Sequence, residues 1–313
     1  MILEKKKKLI WTLIFCLGVF LIIFGLTYLN KRRSESLIDR SPFRDSQGRL
    51  VVTTSLFPIY DFAKIVGGDK TVVSLILPPG SEAHAFLPQA KDLELIKNSA
   101  LFFYTSDLME KWANALSYNL SARNKIVPVA SGLNDASLDP HVWLDFSKAS
   151  LMVDVIAKNY EALDPQNAAY YQANAEAYKE KLSNLDNLFK TSLANCQFKE
   201  IISGGHYTFG YLAKHYNLKY QAVQGFVPDK NVDAEKILML SQELKTSGAP
   251  SVYYEEMIIP QLAELLRQES GVSLMPLNAA HNVGRYDIES GVTFIRLMEN
   301  DLSILKIGLK CQP

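Results

Sequence analysis

Short strands alternating with helices, in two runs separated by one long uninterrupted helix, predict an α/β protein of two halves with mostly parallel sheets. Three observations carry this. β-branched and aromatic stretches recur along the chain, each bounded by Gly, Pro or polar residues. The segments between them place apolar residues at helical spacing. Residues 166–193 contain neither Gly nor Pro, and a helix of that length reaches about 40 Å, which suits a spine joining two lobes. A length of 313 residues fits roughly two domains, and an apolar content of 48% is ordinary for a globular protein.

At the N-terminus, Lys5-Lys6-Lys7-Lys8 precede an uncharged run over 9–29, and Lys31-Arg32-Arg33 follow it. The run is long enough to span a bilayer. A cleaved signal peptide has a shorter apolar core and a small-residue exit site, and no convincing Ala-x-Ala pattern is present. Phe15 fits poorly before Cys16 as a lipidated cysteine. The segment over 1–33 is therefore read as an uncleaved signal anchor, a transmembrane helix, with a charged and polar linker over 34–49. The flanking charges are nearly balanced and barely orient it. Formal net charge is zero, but residues 1–49 hold ten Lys/Arg against four Asp/Glu, so the remainder carries six more acids than bases. That mildly acidic body argues against nucleic-acid binding.

The N-terminal α/β lobe is set at 50–146. Leu50-Val51-Val52-Thr53-Thr54 opens a β-branched strand over 50–56, bounded by Pro58. A helix over 58–66 follows, with Ile59, Phe62, Ala63 and Val66 on one face and Gly67-Gly68 as its stop. Next come a strand over 71–77, broken by Pro78-Pro79-Gly80, and a helix over 89–98. A strand over 100–104, a helix over about 108–116 and a strand over 125–129 complete the lobe. Connecting helices occupy 147–195: one over 147–163, then Asp164-Pro165 as a cap with proline at a first helical position, then the spine. Tyr171, Tyr178, Leu182, Leu185, Phe189 and Leu193 give the spine a single apolar stripe.

The C-terminal α/β lobe is set at 196–313 and repeats the rhythm. Strands over 199–203, 220–223, 251–254 and 273–277 alternate with helices over 207–216, 232–246 and 260–269, and a last helix covers 292–309. Of three cysteines, Cys16 lies in the apolar run, which leaves Cys196 and Cys311 in the folded part. An extracytoplasmic location permits a disulfide between them; the alternative is two unpaired thiols.

Asp139-Pro140-His141-Val142-Trp143-Leu144-Asp145 is the segment most suggestive of chemistry. Pro140 fixes its own φ and restricts Asp139, so the chain enters His141 with little freedom and the ring can be aimed at a metal. Trp143 and Leu144 can wall such a site from water, and Asp139 or Asp145 can orient the imidazole through its other nitrogen. The chain holds four more histidines. His84 lies just past a strand, His206 follows a strand and the Gly204-Gly205 turn at an expected helix start, and His281 also follows a strand. Open α/β sheets bind ligands at such carboxyl-end loops. His215, expected in mid-helix beside Tyr216, reads as a surface or packing residue.

With these residues in view, the chain resembles the solute-binding proteins of zinc and manganese ABC transporters, the family related to pneumococcal surface adhesin A. The resemblance runs from about residue 50 to 309. It rests on the Thr-x-x-x-Pro-x-Tyr-type opening over 53–60, the Pro-Gly…His…Pro segment over 79–88, and the ALFFYTSDLMEKW stretch over 100–112. It continues through Asp139-Pro140-His141-Val142-Trp143-Leu144, Tyr171-x-x-Asn174-x-x-x-Tyr178, His206-x-x-Phe209-x-Tyr211 and Gly291-x-Thr293-Phe294. Each motif is loose alone; their order over some 260 residues is specific.

The resemblance implies two Rossmann-like lobes bridged by one rigid helix, with a metal held between the lobes by four side chains. His84, His141 and His206 match three of the ligand positions. The fourth is usually an aspartate upstream of the Gly-x-Thr-aromatic motif; no Asp stands there, and His281 falls within about a residue of it. His281 is taken as the fourth ligand, with Asn278 as an alternative and Glu255 or Glu256 as sources of oxygen or supporting contacts. The His/Asp-rich loop of some zinc-specific members is absent, and the family's lipid anchor is replaced by the N-terminal helix.

Neutral imidazoles suit tetrahedral Zn²⁺, whereas Mn²⁺ prefers carboxylate and water oxygens. Binding is expected to weaken below about pH 6, where unperturbed imidazoles take protons. The implied function is extracytoplasmic capture of zinc by a membrane-anchored monomer and delivery to an ABC permease, with manganese carriage or a surface adhesin as alternatives. A secreted zinc hydrolase is the rival from another class, since three histidines leave a position for water. No His-Glu-x-x-His helix supplies its ligands and base.

Overall fold

The computed structural model of the chain describes residues 24, 25, 27, 43–116, 125–135, 138–228, 233–255, 261–281 and 283–312. Most of the expected signal anchor over 1–33 and of the linker after it lies outside the described residues. Among the described residues no helix is long and apolar enough to cross a membrane. The chain divides into Met1–Arg49 and Leu50–Pro313. In the first unit, Asp45 closes a turn by accepting from Gln47 N (3.0 Å) and Arg49 N (2.9 Å).

The second unit carries two four-stranded sheets. In the first, β1 (Leu50–Thr54), β2 (Thr71–Leu75), β3 (Leu101–Tyr104) and β4 (Lys125–Pro128) lie in the order β2-β1-β3-β4. All pairs are parallel. In the second, β5 (Glu200–Ser203), β6 (Lys219–Ala222), β7 (Ser251–Glu255) and β8 (Ser273–Leu277) repeat that order as β6-β5-β7-β8, again parallel throughout. Parallel neighbours need crossovers. Those crossovers include α1 (Phe57–Gly67), α2 (Ala90–Lys97) and α3 (Ala113–Leu116) in the first half. In the second they include α6 (Gly210–His215), α7 (Ala234–Ser247) and α8 (Gln261–Ser270). Near-continuous apolar strands such as Leu101-Phe102-Phe103-Tyr104, buried throughout, are what a sheet covered on both faces requires.

Between the halves run α4 (Phe146–Leu163) and α5 (Ala168–Ala194). The stripe expected on the spine is the buried face of α5: Tyr171, Ala175, Tyr178, Leu182, Leu185, Phe189 and Leu193. Phe189 meets Phe146 at 5.0 Å between ring centroids and Tyr216 at 5.3 Å. α9 (Arg285–Glu289), which sequence reading missed, and α10 (Phe294–Gly308) end the fold. Phe62 of α1 packs edge-on against Phe294 of α10 at 5.2 Å, so aromatic rings from both halves interlock across the spine. Asp61 is buried in the same place. Its Oδ2 accepts from Tyr178 Oη at 2.9 Å and from Phe294 N at 3.1 Å. Cys196 and Cys311 are joined as a disulfide, which fastens the chain end to the residue just beyond α5.

Two helices are shorter than expected, for identifiable reasons. α3 starts at residue 113 rather than 108 because Glu110 is turned inward. Its carboxylate accepts from Thr105 N (3.1 Å), Ser106 N (3.2 Å) and the Ser55 hydroxyl, committing 105–110 to turns. α6 starts at Gly210 rather than 207; ahead of it Tyr207 N donates to Gly225 O (2.7 Å) and Thr208 N to Tyr220 Oη (3.2 Å), which hold these residues in the loop. The expected starts of α7 and α8 at 232 and 260 lie outside the described residues.

Candidate metal centre

All four strand-end histidines lie past the carboxyl ends of strands, in loops shaped by local chemistry. His84 follows β2, where Gly80 adopts φ +75° and Ser81 N closes a turn on Pro78 O at 3.1 Å. Glu82 Oε1 then accepts from His84 N at 3.0 Å. His141 follows β4 and is fully buried. One oxygen, Asp139 Oδ1, takes both His141 N (3.0 Å) and His141 Nδ1 (2.7 Å), so the carboxylate fixes backbone and ring together. Of the two candidates for that task Asp139 performs it. Asp145 instead caps α4, accepting from Ser147 N and Lys148 N. Trp143 and Leu144 are fully buried behind the ring.

His206 follows β5 and the Gly204-Gly205 turn, and lies in a loop four residues ahead of α6 rather than at the helix start. Close approach requires Gly204 and crowds any Cβ at Gly205. A Cβ on Gly204 would meet Ala263 Cα at 2.2 Å, and one on Gly205 would meet Glu255 Oε1 at 3.0 Å. Glu255, at the end of β7, brings Oε1 to 2.6 Å from His206 Nδ1, and its Oε2 lies 3.7 Å from His281 Nε2. Thr208, which sequence reading did not single out, donates its hydroxyl to Glu255 Oε1 at 3.0 Å and lies 2.9 Å from His206 Nε2. No sequence signal marks Thr208. Glu256 lies outside the described residues.

The four rings meet at one point. The Nε2 atoms of His84, His141 and His206 are separated by 3.1, 3.2 and 3.4 Å. His281 joins them, its ring centroid 5.5 to 5.7 Å from the other three. One ligand atom from each of the four lies within 4.8 Å of the rest. Bonds of zinc length in tetrahedral geometry put neighbouring nitrogens roughly 3.3 Å apart. The donor set has the same character. Placing the Nδ1 proton of His141 on Asp139 leaves its Nε2 as a lone pair facing the Nε2 atoms of His84 at 3.1 Å and His206 at 3.4 Å. Facing lone pairs repel, and a cation between them removes the repulsion.

Burial sets the protonation of the cluster. It pushes His84 down to about 3, with the neighbouring His206 adding to the shift. It carries His141 and His281 well below the ordinary imidazole range, again with the adjacent imidazoles as the second cause. These three rings are neutral, the form that binds metal, and protons compete for them at lower pH than the value of about 6 expected from unperturbed rings. Burial pushes Asp139 up to about 7, against the hydrogen bond from His141 N.

The alternatives for the fourth position are placed as follows. Asn278 turns its Oδ1 onto Ala280 N at 2.8 Å, so its side chain serves its own loop. His215, at the end of α6 rather than mid-helix, stands apart from the cluster and pairs with Asp186 Oδ1 at 2.9 Å.

The family model for the zinc-uptake complex component A, periplasmic, ZnuA, matches residues 52–308. The high-affinity zinc uptake system protein ZnuA of Bacillus subtilis is 30% identical over 286 residues, 85% of this chain and 89% of that one. The zinc-binding lipoprotein AdcA of Streptococcus pneumoniae is 30% identical over 290 residues, and there the chain spans 58% of the relative's length. The crystal structure of the Zn(II)-bound ZnuA-like domain of that AdcA superposes with a TM-score of 0.74 at 31% identity, covering 83% of this chain and 99% of that one. With the family model spanning both sheets and the spine, the chain belongs to the ZnuA family of zinc-uptake components, transport proteins rather than enzymes.

Proposed function

We propose that this chain captures zinc outside the cytoplasm, between its two halves, and hands the ion to an ABC permease. His84, His141, His206 and His281 are the ligands in this reading. The convergence of their ring nitrogens within 4.8 Å, from four separate loops, is the observation that carries it. A site made wholly of neutral imidazoles favours Zn²⁺ over Mn²⁺, which seeks oxygen ligands. Membership of a zinc-uptake family supports the same cargo and a place in an uptake complex. A hydrolytic zinc needs an open position for water, and here His281 fills the fourth. The protein acts as a monomer tethered at the membrane surface by the uncleaved apolar segment over 1–33.

The test is metal analysis and chelator competition on the purified chain and on His84→Ala, His141→Ala, His206→Ala and His281→Ala, one at a time. One zinc per chain is expected, weakened at least about a hundredfold in each variant, because changes even to supporting residues cost roughly 10- to 100-fold. Unchanged zinc content in the first three variants removes the assignment.

A further inference from the structure

The four imidazoles are not held in the same way. His141 has Asp139 on its Nδ1, His206 has Glu255 beside its Nδ1, and His84 is fixed through its main-chain N–H on Glu82. His281 is almost fully buried, no side chain is in hydrogen-bonding geometry with its ring nitrogens, and the 3.7 Å to Glu255 Oε2 is too long for a hydrogen bond; the polar group acting on the ring is the Ala279 backbone. The aim of this ring therefore comes from its backbone and from packing. Ala280, immediately before it, is held at φ +63°, a region unfavourable for a residue with a Cβ unless its neighbours enforce it.

Two of the bonds that hold this loop come from its own half: Asn278 N donates to Asp301 Oδ1 at 2.9 Å, and Ala280 N to Asn278 Oδ1 at 2.8 Å. The other two cross from the first half. Trp143 Nε1 donates to Ala279 O at 2.8 Å, and Gly80 N to Val283 O at 3.0 Å. These partners belong to the loops that carry His141 and His84. Both sides of His281 are thus tied to the loops of the ligands it must meet.

We infer that Trp143 is a positioning residue for His281: its indole N–H, bound to Ala279 O, sets where the fourth imidazole points and couples it to His141, two residues before the indole. The inference rests on the proposed ligand set. A purely packing role for Trp143 has its own support, since the indole lies 5.4 Å from the His141 ring and 6.0 Å from that of His281. The two roles differ in whether the N–H matters.

The experiment uses the full chain and two changes at this position. Trp143→Phe keeps an aromatic ring. Replacement of Trp143 by its benzothienyl analogue exchanges the N–H for sulfur at nearly unchanged shape, so folding is preserved. Zinc affinity is read by chelator competition, and the geometry at the metal by the visible spectrum of the Co²⁺-substituted chain. Both changes are expected to lower zinc affinity roughly tenfold and to move the Co²⁺ spectrum toward that of His281→Ala. Added to His281→Ala, neither should lower affinity further, because the residue acts through that ring. Wild-type affinity in the benzothienyl protein overturns the inference, as does an equal loss in the presence and absence of His281. If His281→Ala itself leaves zinc affinity unchanged, the ligand assignment fails instead, and the two failures are distinguishable.

Discussion

Asp139→Asn is expected to make the metal-free protein more stable at neutral and alkaline pH while weakening its hold on zinc. Asp139 is buried and its carboxyl is pushed up to about 7 from an ordinary value of 3.8, with burial as the leading cause. The folded chain therefore binds this proton more tightly than the unfolded chain does. A group raised in this way contributes its full stability below the unfolded value, and the contribution is lost as pH rises through the folded value. Between pH 5 and pH 7 the loss amounts to two units, an upper limit of about 2.7 kcal/mol at 1.36 kcal/mol per unit. Above pH 7 it grows little further. Asparagine keeps an oxygen to accept from His141 N and Nδ1 and carries no charge, so the variant escapes this loss.

The assay is thermal unfolding of chelator-treated wild type and variant from pH 5 to pH 8. At roughly 2 to 4 °C per kcal/mol for a chain of this size, the variant's Tm should gain about 5 to 10 °C on the wild type across that interval. Other groups that titrate in the same range cancel in the difference. Zinc affinity should move the opposite way, falling roughly 10- to 100-fold, because an amide polarises the His141 ring less than a carboxylate does. A pH-independent difference in Tm, or a variant that loses ground as pH rises, refutes the reasoning.

Four further outcomes are expected. The metal-free chain should lose stability as pH falls through 6.5, because His84, at about 3 when folded, and His141 and His281, both carried well below the ordinary imidazole range by burial, leave the extra protons to the unfolded state. His84 contributes about 2 kcal/mol of loss by pH 5, and zinc in hundredfold excess over its Kd restores about 2.7 kcal/mol, so denaturant titrations at pH 7 and pH 5 with and without zinc should separate. Reducing the Cys196–Cys311 bridge, which spans 115 residues, should lower unfolding free energy by about 5 kcal/mol in the chain-entropy account, read by urea denaturation with and without reductant. Gly205→Ala should fold and bind zinc roughly tenfold more weakly, because the new Cβ crowds Glu255 Oε1 at 3.0 Å beside His206. Gly204→Ala, which meets backbone at 2.2 Å, should give little soluble protein.

The parts of this fold that were legible in the sequence are those fixed by local chemistry. Strands of β-branched and aromatic residues, helices stopped by glycine, and a spine without Gly or Pro follow from short-range rules, so the element order was readable and all eight strands were anticipated to within a few residues. The failures arise where a distant partner claims a backbone group. Tyr207 and Thr208 look helical from their spacing, but bonds to Gly225 O and the Tyr220 hydroxyl hold them in the loop ahead of α6. Glu110 looks like an exposed helical residue until the Ser55 hydroxyl, at the end of the neighbouring strand β1, turns it inward.

The candidate site divides in the same way. Four histidines after strands could be placed because the carboxyl ends of parallel strands share one edge of a sheet. The choice of Asp139 over Asp145 could not, since both flank His141 and only the turn at Pro140 decides which carboxylate folds back. The Trp143–Ala279 bond joins residues 136 apart and has no local signature. Long-range bonds of this kind also indicate which parts of the molecule yield first. At the spine, Asp61, Tyr178, Phe62 and Phe294 are interlocked and buried, and opening there would expose a carboxylate and three aromatic rings together. At the cluster, two hydrogen bonds among the described residues cross from the first half to the loop that carries His281. A net hydrogen bond is worth about 1 kcal/mol, far less than the burial of three aromatic side chains. For the proposed four-imidazole set, displacement of the His281 loop therefore breaks fewer of the described polar and aromatic contacts than separation of the two halves about the spine.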